Sequence, residues 1–407
     1  MCDYIINKTQ KLIAFIGLLR VSLMESTHST LAFQDRKAGA LLGLFAGDAL
    51  ASPVHWYYSL AQLKRDFGQI TGYTKPNEHM EGSIMNLSNT GGGGRGSDKG
   101  EIVGDVINHG KKKYWGRGLN YSYHCTLQAG ENTLEGQLTR LLLRTIAAQE
   151  GKVKPEIFLH EYVKFMTTPG SHNDAYASTC HRMFFANYVR GVAPESCADN
   201  DGHNTDAIDA LTLTIPAIIA TVTEEGPSDD VRKAAREVVA LTRQSKVLPA
   251  YVDLYADMLA SVVSGKKTLQ SAAVDAGKRL GFDVKASAQT AWARAGKIDP
   301  EKYVGGDGTD PMVACYIDSS FPALLHLAYR YAEYGPRMAL LANANAGGEN
   351  VARGSALGAL IGASYGVSGF PESLRALYNR EDIEREINAV VGADAFGKTH
   401  VGEKYDL

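Results

Sequence analysis

Cysteine is scarce. The five in 407 residues, at 2, 125, 180, 197 and 315, form no CxxC pair. An odd, scattered set gives neither a disulfide framework nor the spacing of a zinc site, and it fits a reducing compartment. An excess of either charge is also lacking: 42 Lys and Arg face 45 Asp and Glu, a formal net charge of -3. Nothing in that balance favours a nucleic acid or a polybasic membrane surface as partner. The densest basic run, residues 111–113, reads as a solvated loop. No apolar run is long enough to span a bilayer. One short run, LIAFIGLL at 12–19, follows Lys8 and Lys11 like a signal h-region but precedes no small-x-small cleavage site. Residues 1–30 are therefore read as a dispensable extension, with 1–23 compatible with a targeting segment and Met24 with an alternative start. The cytoplasm is the expected compartment. Strand-like alternation is nearly missing too, which leaves helices as the main element.

Glycine is what the sequence has in abundance. From Leu31 to Leu50, LAFQDRKAGALLGLFAGDAL places glycines at 39, 43 and 47; near the other end, GGENVARGSALGALIGASYG places them at 354, 358, 362 and 366. A four-residue period puts each set on one helix face. An interior glycine costs a helix roughly 1 kcal/mol against alanine, so such ladders call for a packing reason, and the two smooth faces are natural partners in one core. Helical patterns recur at 126–151, 155–168 and 229–295 and in the segment before the second ladder, whereas 66–120, including the Gly91–Gly100 loop, reads as irregular functional loops. GGGGRGS lacks the GK[ST] ending of a phosphate loop. The expectation is an all-α fold, a single compact orthogonal helical bundle over 31–370, with residues 371–407 as a tail packing on it.

Three motifs give the pattern a relative. GDALASPVH (47–55), GENT (130–133) and GGENVA (347–352), the last running into GALIGASYG, occur in the order of the ADP-ribosylglycohydrolase (crystallin J1-like) superfamily. The resemblance covers about residues 33–370. ALTRQSKVLPAYVDLYADML (240–259) resembles the family's helix pair, with Arg243 where that pair carries histidine, and the segment around His203 and Asn204 lies where the family has a substrate loop.

The resemblance implies hydrolysis of a glycosidic bond, N- or O-ribosyl, in a small ADP-ribose- or nucleoside-like compound, with aspartates of the second and third motifs holding magnesium. Here the aspartate positions carry Glu131, Asn132, Glu349 and Val351, with Asn350 between the last two and His55 for the early glutamate. Hard cations take oxygen ligands, and charge count largely sets their affinity. The expectation is thus no cofactor or a single magnesium ion, at most one, on Glu131 and Glu349. Those glutamates, with Asp48 and His55, are the catalytic candidates. Two facing carboxyls would separate into an acid and a base. Asn132, Asn350, His124, His172, Asn173, Asp174, His203, Asn204 and Gly348 are the candidates for holding substrate. Two other readings stay open: the Glu-Asn pairs bind a polar ligand without turnover, in a non-catalytic or structural descendant of the fold, or they only cap their helices. Oligomeric state is open.

Overall fold

The computed structural model describes residues 32–83, 85, 102–116 and 118–397; the expected extension at 1–30 and the Gly91–Gly100 loop lie outside them. Among the described residues the chain is helical, with isolated β-bridges and no strand. Its α-helices, in chain order, are α1 (Phe33–Ala51), α2 (Leu60–Phe67), α3 (Leu134–Ala148), α4 (Pro155–Thr167), α5 (Thr179–Tyr188), α6 (Thr214–Thr221), α7 (Asp229–Ala240) and α8 (Leu248–Val263). There follow α9 (Leu269–Leu280), α10 (Val284–Ala295), α11 (Ile317–Tyr331), α12 (Gly335–Ala346), α13 (Val351–Tyr365), α14 (Glu372–Arg375) and α15 (Arg380–Val391). None of the described helices is long and apolar enough to cross a membrane.

The two glycine ladders meet. Gly39 faces Gly362 and Gly366, Gly43 faces Gly358, and Gly47 faces Gly354, so α1 and α13 run antiparallel with their backbones in contact. The fit leaves no room for a methyl group: a Cβ added at Gly43 would lie 1.9 Å from the Gly358 carbonyl oxygen. Backbone dispersion gained along the whole interface offsets the helix propensity lost at each glycine. Both helices are buried almost all round, as the central members of a bundle must be. Around them pack α6, α8, α11, α12 and α15; α7 packs on α6 and α8, and α9 and α10 pack on α11.

Amphipathic sequence accounts for the outer helices. In α7 (DDVRKAAREVVA), Val231, Ala234, Ala235, Val238 and Val239 are buried, a three-four spacing along one face, and Ser228 caps the Val231 N–H. α15 docks on α3 through a buried ion pair. Arg140 grips Glu386 with two hydrogen bonds of 2.8 and 2.9 Å, and Arg144 adds a third at 2.8 Å. Truncating one partner of such a pair strands the other charge. Glu386→Ala is expected to cost about 3 kcal/mol, read as a lower urea midpoint and early release of α15 in hydrogen exchange.

The antiparallel core places the site. Because α1 ends where α13 begins, the segment after α1 (His55, Trp56) lies beside the turn that opens α13 (Gly347–Asn350). Hydrogen bonds from Trp56 N to Gly348 O (2.9 Å) and from Gly348 N to Tyr57 O (2.8 Å) sew the two together. A Cβ at either glycine of that turn would lie 2.5 Å from a backbone oxygen, which is why both positions are glycine.

Candidate functional site

At this end of the core, a cavity of about 290 Å³ opens between the starts of α3, α5 and α13 and the loop before α11. Its inner wall is a row of four ionisable side chains. Glu349 Oε2 lies 3.1 Å from His55 Nε2, His55 Nδ1 lies 2.8 Å from His124 Nε2, and His124 Nδ1 lies 2.9 Å from Asp174 Oδ1. All four are buried and line the cavity. The imidazole planes are within 10° of parallel and their centroids 5.0 Å apart. With nitrogens at 2.8 Å, that is an edge-to-edge meeting in a shared plane rather than a face-to-face stack.

Each member is fixed from outside the row. Trp56 stands in the left-handed region (φ 61), a conformation that is strained for a bulky residue and gathers at functional sites. It aims its indole N–H at Glu349 Oε2, 2.5 Å away. The other oxygen of Glu349 accepts from Ala352 N, in the first turn of α13. Asp174 accepts from Leu134 N (2.8 Å), at the start of α3, and from Tyr176 N (3.1 Å). Tyr123 and Tyr176 meet the Trp56 ring edge-on, packing aromatic surface beside the row.

The contacts suit one proton content. Ionised carboxylates only accept, so His55 Nε2 and His124 Nδ1 carry hydrogens, and the contact between the rings needs one more. Three protons on four ring nitrogens make the pair a single shared imidazolium between two carboxylates. The electrostatics agree. Burial pulls His55 below the ordinary histidine value despite Glu349. Burial presses His124 down as well, but Asp174, Asp48 and Glu349 outweigh it and hold its pKa above that value. Burial would raise both carboxyls, yet His55 keeps Glu349, and His124 keeps Asp174, below their ordinary values.

The other candidates fall into place around this row. Asp48 does not line the cavity. Its oxygens take Asn132 Nδ2 (2.8 Å), Thr133 N (2.8 Å) and the Thr133 hydroxyl (2.7 Å), clamping α1 to the start of α3, and burial pushes its pKa up to about 6 against those donors. Asn132 also donates to Phe45 O, and Asn350 to Val54 O and Ala344 O, so both asparagines brace backbone. Glu131 and Glu349, expected to face each other, do not: Glu131 lies outside the cavity, its Oε2 accepting from Gln128 N and Asn173 Nδ2. The reason is one residue of register. Glu349 stands one position before the N-cap of its helix, Asn350, whereas Glu131 stands two before its N-cap, Thr133. His172, Asn173 and Gly348 do not line the cavity, and exposed His203 meets the Tyr316 hydroxyl (2.9 Å) beside the cavity, which Asn204 lines.

A magnesium ion held by Glu131 and Glu349 together does not fit: Glu131 lies outside the cavity that Glu349 lines, Val351 stands where a further ligand would be needed, and imidazole nitrogen is a poor partner for a hard cation. Among the described residues no group of three or more His, Cys, Asp or Glu side chains is arranged to hold a metal ion.

Glu135, Tyr176, Arg182, Asp209 and Tyr316 also line the cavity, and no motif singles them out in the sequence. Arg243, at the family's histidine position, reaches the wall through Asp209 (2.8 Å).

Comparison with known proteins gives one consistent result. The model of a family described as ADP-ribosylglycohydrolase matches residues 29–400, so the match runs past residue 370 through α14 and α15. Among solved structures, a chain titled "ADP-ribosylglycohydrolase-related protein complex" is similar over 89% of this chain and 99% of its own, at 17% identity and a TM-score of 0.52. That likeness concerns the fold. No curated protein matches.

Proposed function

The chain belongs to the ADP-ribosylglycohydrolase family of glycosidic-bond hydrolases, and from that premise we propose that it hydrolyses a ribosyl bond by acid–base chemistry at the Glu349–His55–His124–Asp174 row. The observation that carries the reading is the 2.8 Å contact between the buried rings of His55 and His124 on the wall of the cavity. The proton shared by the two rings passes to the leaving group as their contact opens and the glycosidic bond breaks. The carboxylates of Glu349 and Asp174 stabilise the positive charge that develops on the ribosyl carbon. The pair is then neutral and takes a proton from the attacking water, which restores the starting state. The four side chains are buried, so each charge acts at reduced dielectric.

Glu349→Gln keeps an acceptor for His55 and Trp56 but removes a charge, and is expected to lower kcat by about 10²-fold. Glu131→Gln, altering a carboxyl held outside the cavity, is expected to leave kcat near wild type. Product release from ribosyl substrates, followed by chromatography, checks both. Ligand-induced thermal stabilisation with no product in the wild type would instead support binding without turnover.

A further inference from the structure

Two contacts made by Trp56 converge on one pair of buried ionisable groups. Of the chain's three tryptophans, Trp115 gives its indole N–H to a backbone carbonyl, Ala175 O (2.9 Å), and Trp292 lies under the Arg330 guanidinium. Trp56 gives its N–H to a carboxylate, Glu349 Oε2, the same oxygen that His55 Nε2 approaches. Its ring also meets the His55 imidazole, with centroids 4.2 Å apart and planes 32° from parallel. That is largely a face-to-face contact, which lays the electron-rich face of the indole against a ring that carries positive charge. One side chain thus sets a donor on the anion and a π face on the cation.

The pair has a competing state. If Glu349 took the hydrogen from His55 Nε2, carboxyl and rings would all be neutral, and no imidazolium would remain to protonate a leaving group. Burial favours that neutral state: it pulls His55 below its ordinary value, with Glu349 opposing, and it would raise Glu349, which His55, Ala352 N and Trp56 hold down. An indole N–H only donates, so a hydrogen placed on Oε2 would meet one already aimed there; Ala352 N faces Oε1 in the same way. The remaining ionisable groups near Glu349 do not duplicate this. Burial pushes the Tyr58 hydroxyl and the Cys315 thiol up, so both are neutral at ordinary pH, and the Arg353 guanidinium donates to Asn343 Oδ1 (2.7 Å) and Gly347 O (3.0 Å). On the far side of His55, His124 is tied to Asp174. Glycine or asparagine would adopt φ 61 at position 56 with less strain, but neither brings an indole.

We propose that Trp56 is a positioning residue that keeps the Glu349–His55 contact an ion pair, through its N–H on the carboxylate and its ring face on the imidazole, and so preserves the proton held between the two histidines. Its effect on turnover rests on the ribosyl-hydrolase reading; its effect on the charge of His55 does not.

Nitrogen-15 NMR of the full chain, labelled at histidine and held at neutral pH, reads the charge directly, because imidazolium nitrogens resonate apart from those of neutral rings. The His55 signals are assigned by their loss in His55→Gln. Trp56→Phe keeps a ring and loses the N–H, whereas Trp56→Leu loses both; thermal melting verifies that each is folded, and the Phe variant carries the test alone if the Leu variant is not. His55 is expected at imidazolium positions in the wild type, part of the way to neutral in Trp56→Phe and further in Trp56→Leu. Turnover of ribosyl substrates is expected to fall with it, kcat by about tenfold and about 10²-fold. A structural role alone would lower the melting temperature and leave the ring signals in place. A neutral His55 in the wild type, ring signals that do not move in the variants, or an unchanged kcat in an active protein overturns the proposal. Ring signals that move as expected, with no product from any ribosyl compound in the wild type, uphold the charge-keeping role of Trp56 and remove the hydrolase reading instead.

Discussion

Replacing His124 with asparagine is expected to lower kcat by about 10³-fold, near the middle of the range for losing a positioned acid–base group, while the fold persists. The substitution removes the ring that bridges His55 and Asp174. His55 is then left with Glu349 alone and has no partner with which to share a proton. The pH profile should change as well as the rate. In the wild type the competent state is the singly protonated pair. As pH rises through the raised pKa of His124, the proton is lost and activity falls; as pH drops through the depressed pKa of His55, a second proton enters and activity falls again. His124→Asn should lose the alkaline limb. Linkage gives the sign for stability: because the folded pKa of His124 is raised, its contribution is complete below the unfolded histidine value and is lost as pH climbs through the folded one. An unchanged alkaline limb in the variant would remove His124 from the proton-carrying role. Asp48, whose pKa burial lifts to about 6, also faces His124, so the acidic limb is better assigned with Asp48→Asn as a control.

The largest effect on stability is expected at Gly358. A methyl group there would lie 1.9 Å from the carbonyl oxygen of Gly43, which is backbone and cannot turn aside. The two central helices would have to separate, loosening every contact along the ladder. Gly358→Ala should therefore cost more than about 3 kcal/mol, beyond the usual range for overpacking, despite alanine being the better helix former. Gly354→Ala, with its nearest clash at 2.7 Å, should lose less. Gly281 ends α9 in a left-handed conformation with open space around it, and its replacement by alanine should cost only about 1 kcal/mol. Urea midpoints and soluble yields of the three variants test the ranking, and equal losses at Gly358 and Gly281 would contradict it.

Much of the fold was legible in the residues. A four-residue glycine period has one strong physical meaning, and it identified both central helices and their pairing before any coordinates. Helical pattern at 155–168 and across 229–295 also marks where α4, α7, α8, α9 and α10 lie. The site was only half legible. Glu349, His55, His124 and Asp174 were all among the candidates, but in separate roles, because nothing in a sequence states that residues 55, 124, 174 and 349 form one row. The parallel Glu-Asn pairs misled for a local reason: identical dipeptides offset by one residue from their helix starts point into different environments. Glu135 and Asp209 gave no signal, since a lone carboxylate near a helix start is ordinary sequence.

The ladder carries one more consequence. Interlocked glycines and carbonyls act like the teeth of a ratchet: the next position in which α1 and α13 would mesh lies four residues away, about 6 Å along the axis. No gentle slide is available between the two. His55 at the end of one helix and Glu349 at the start of the other therefore meet in full or not at all. Variants that weaken the core should reduce how many molecules are active while leaving the turnover of each folded molecule unchanged.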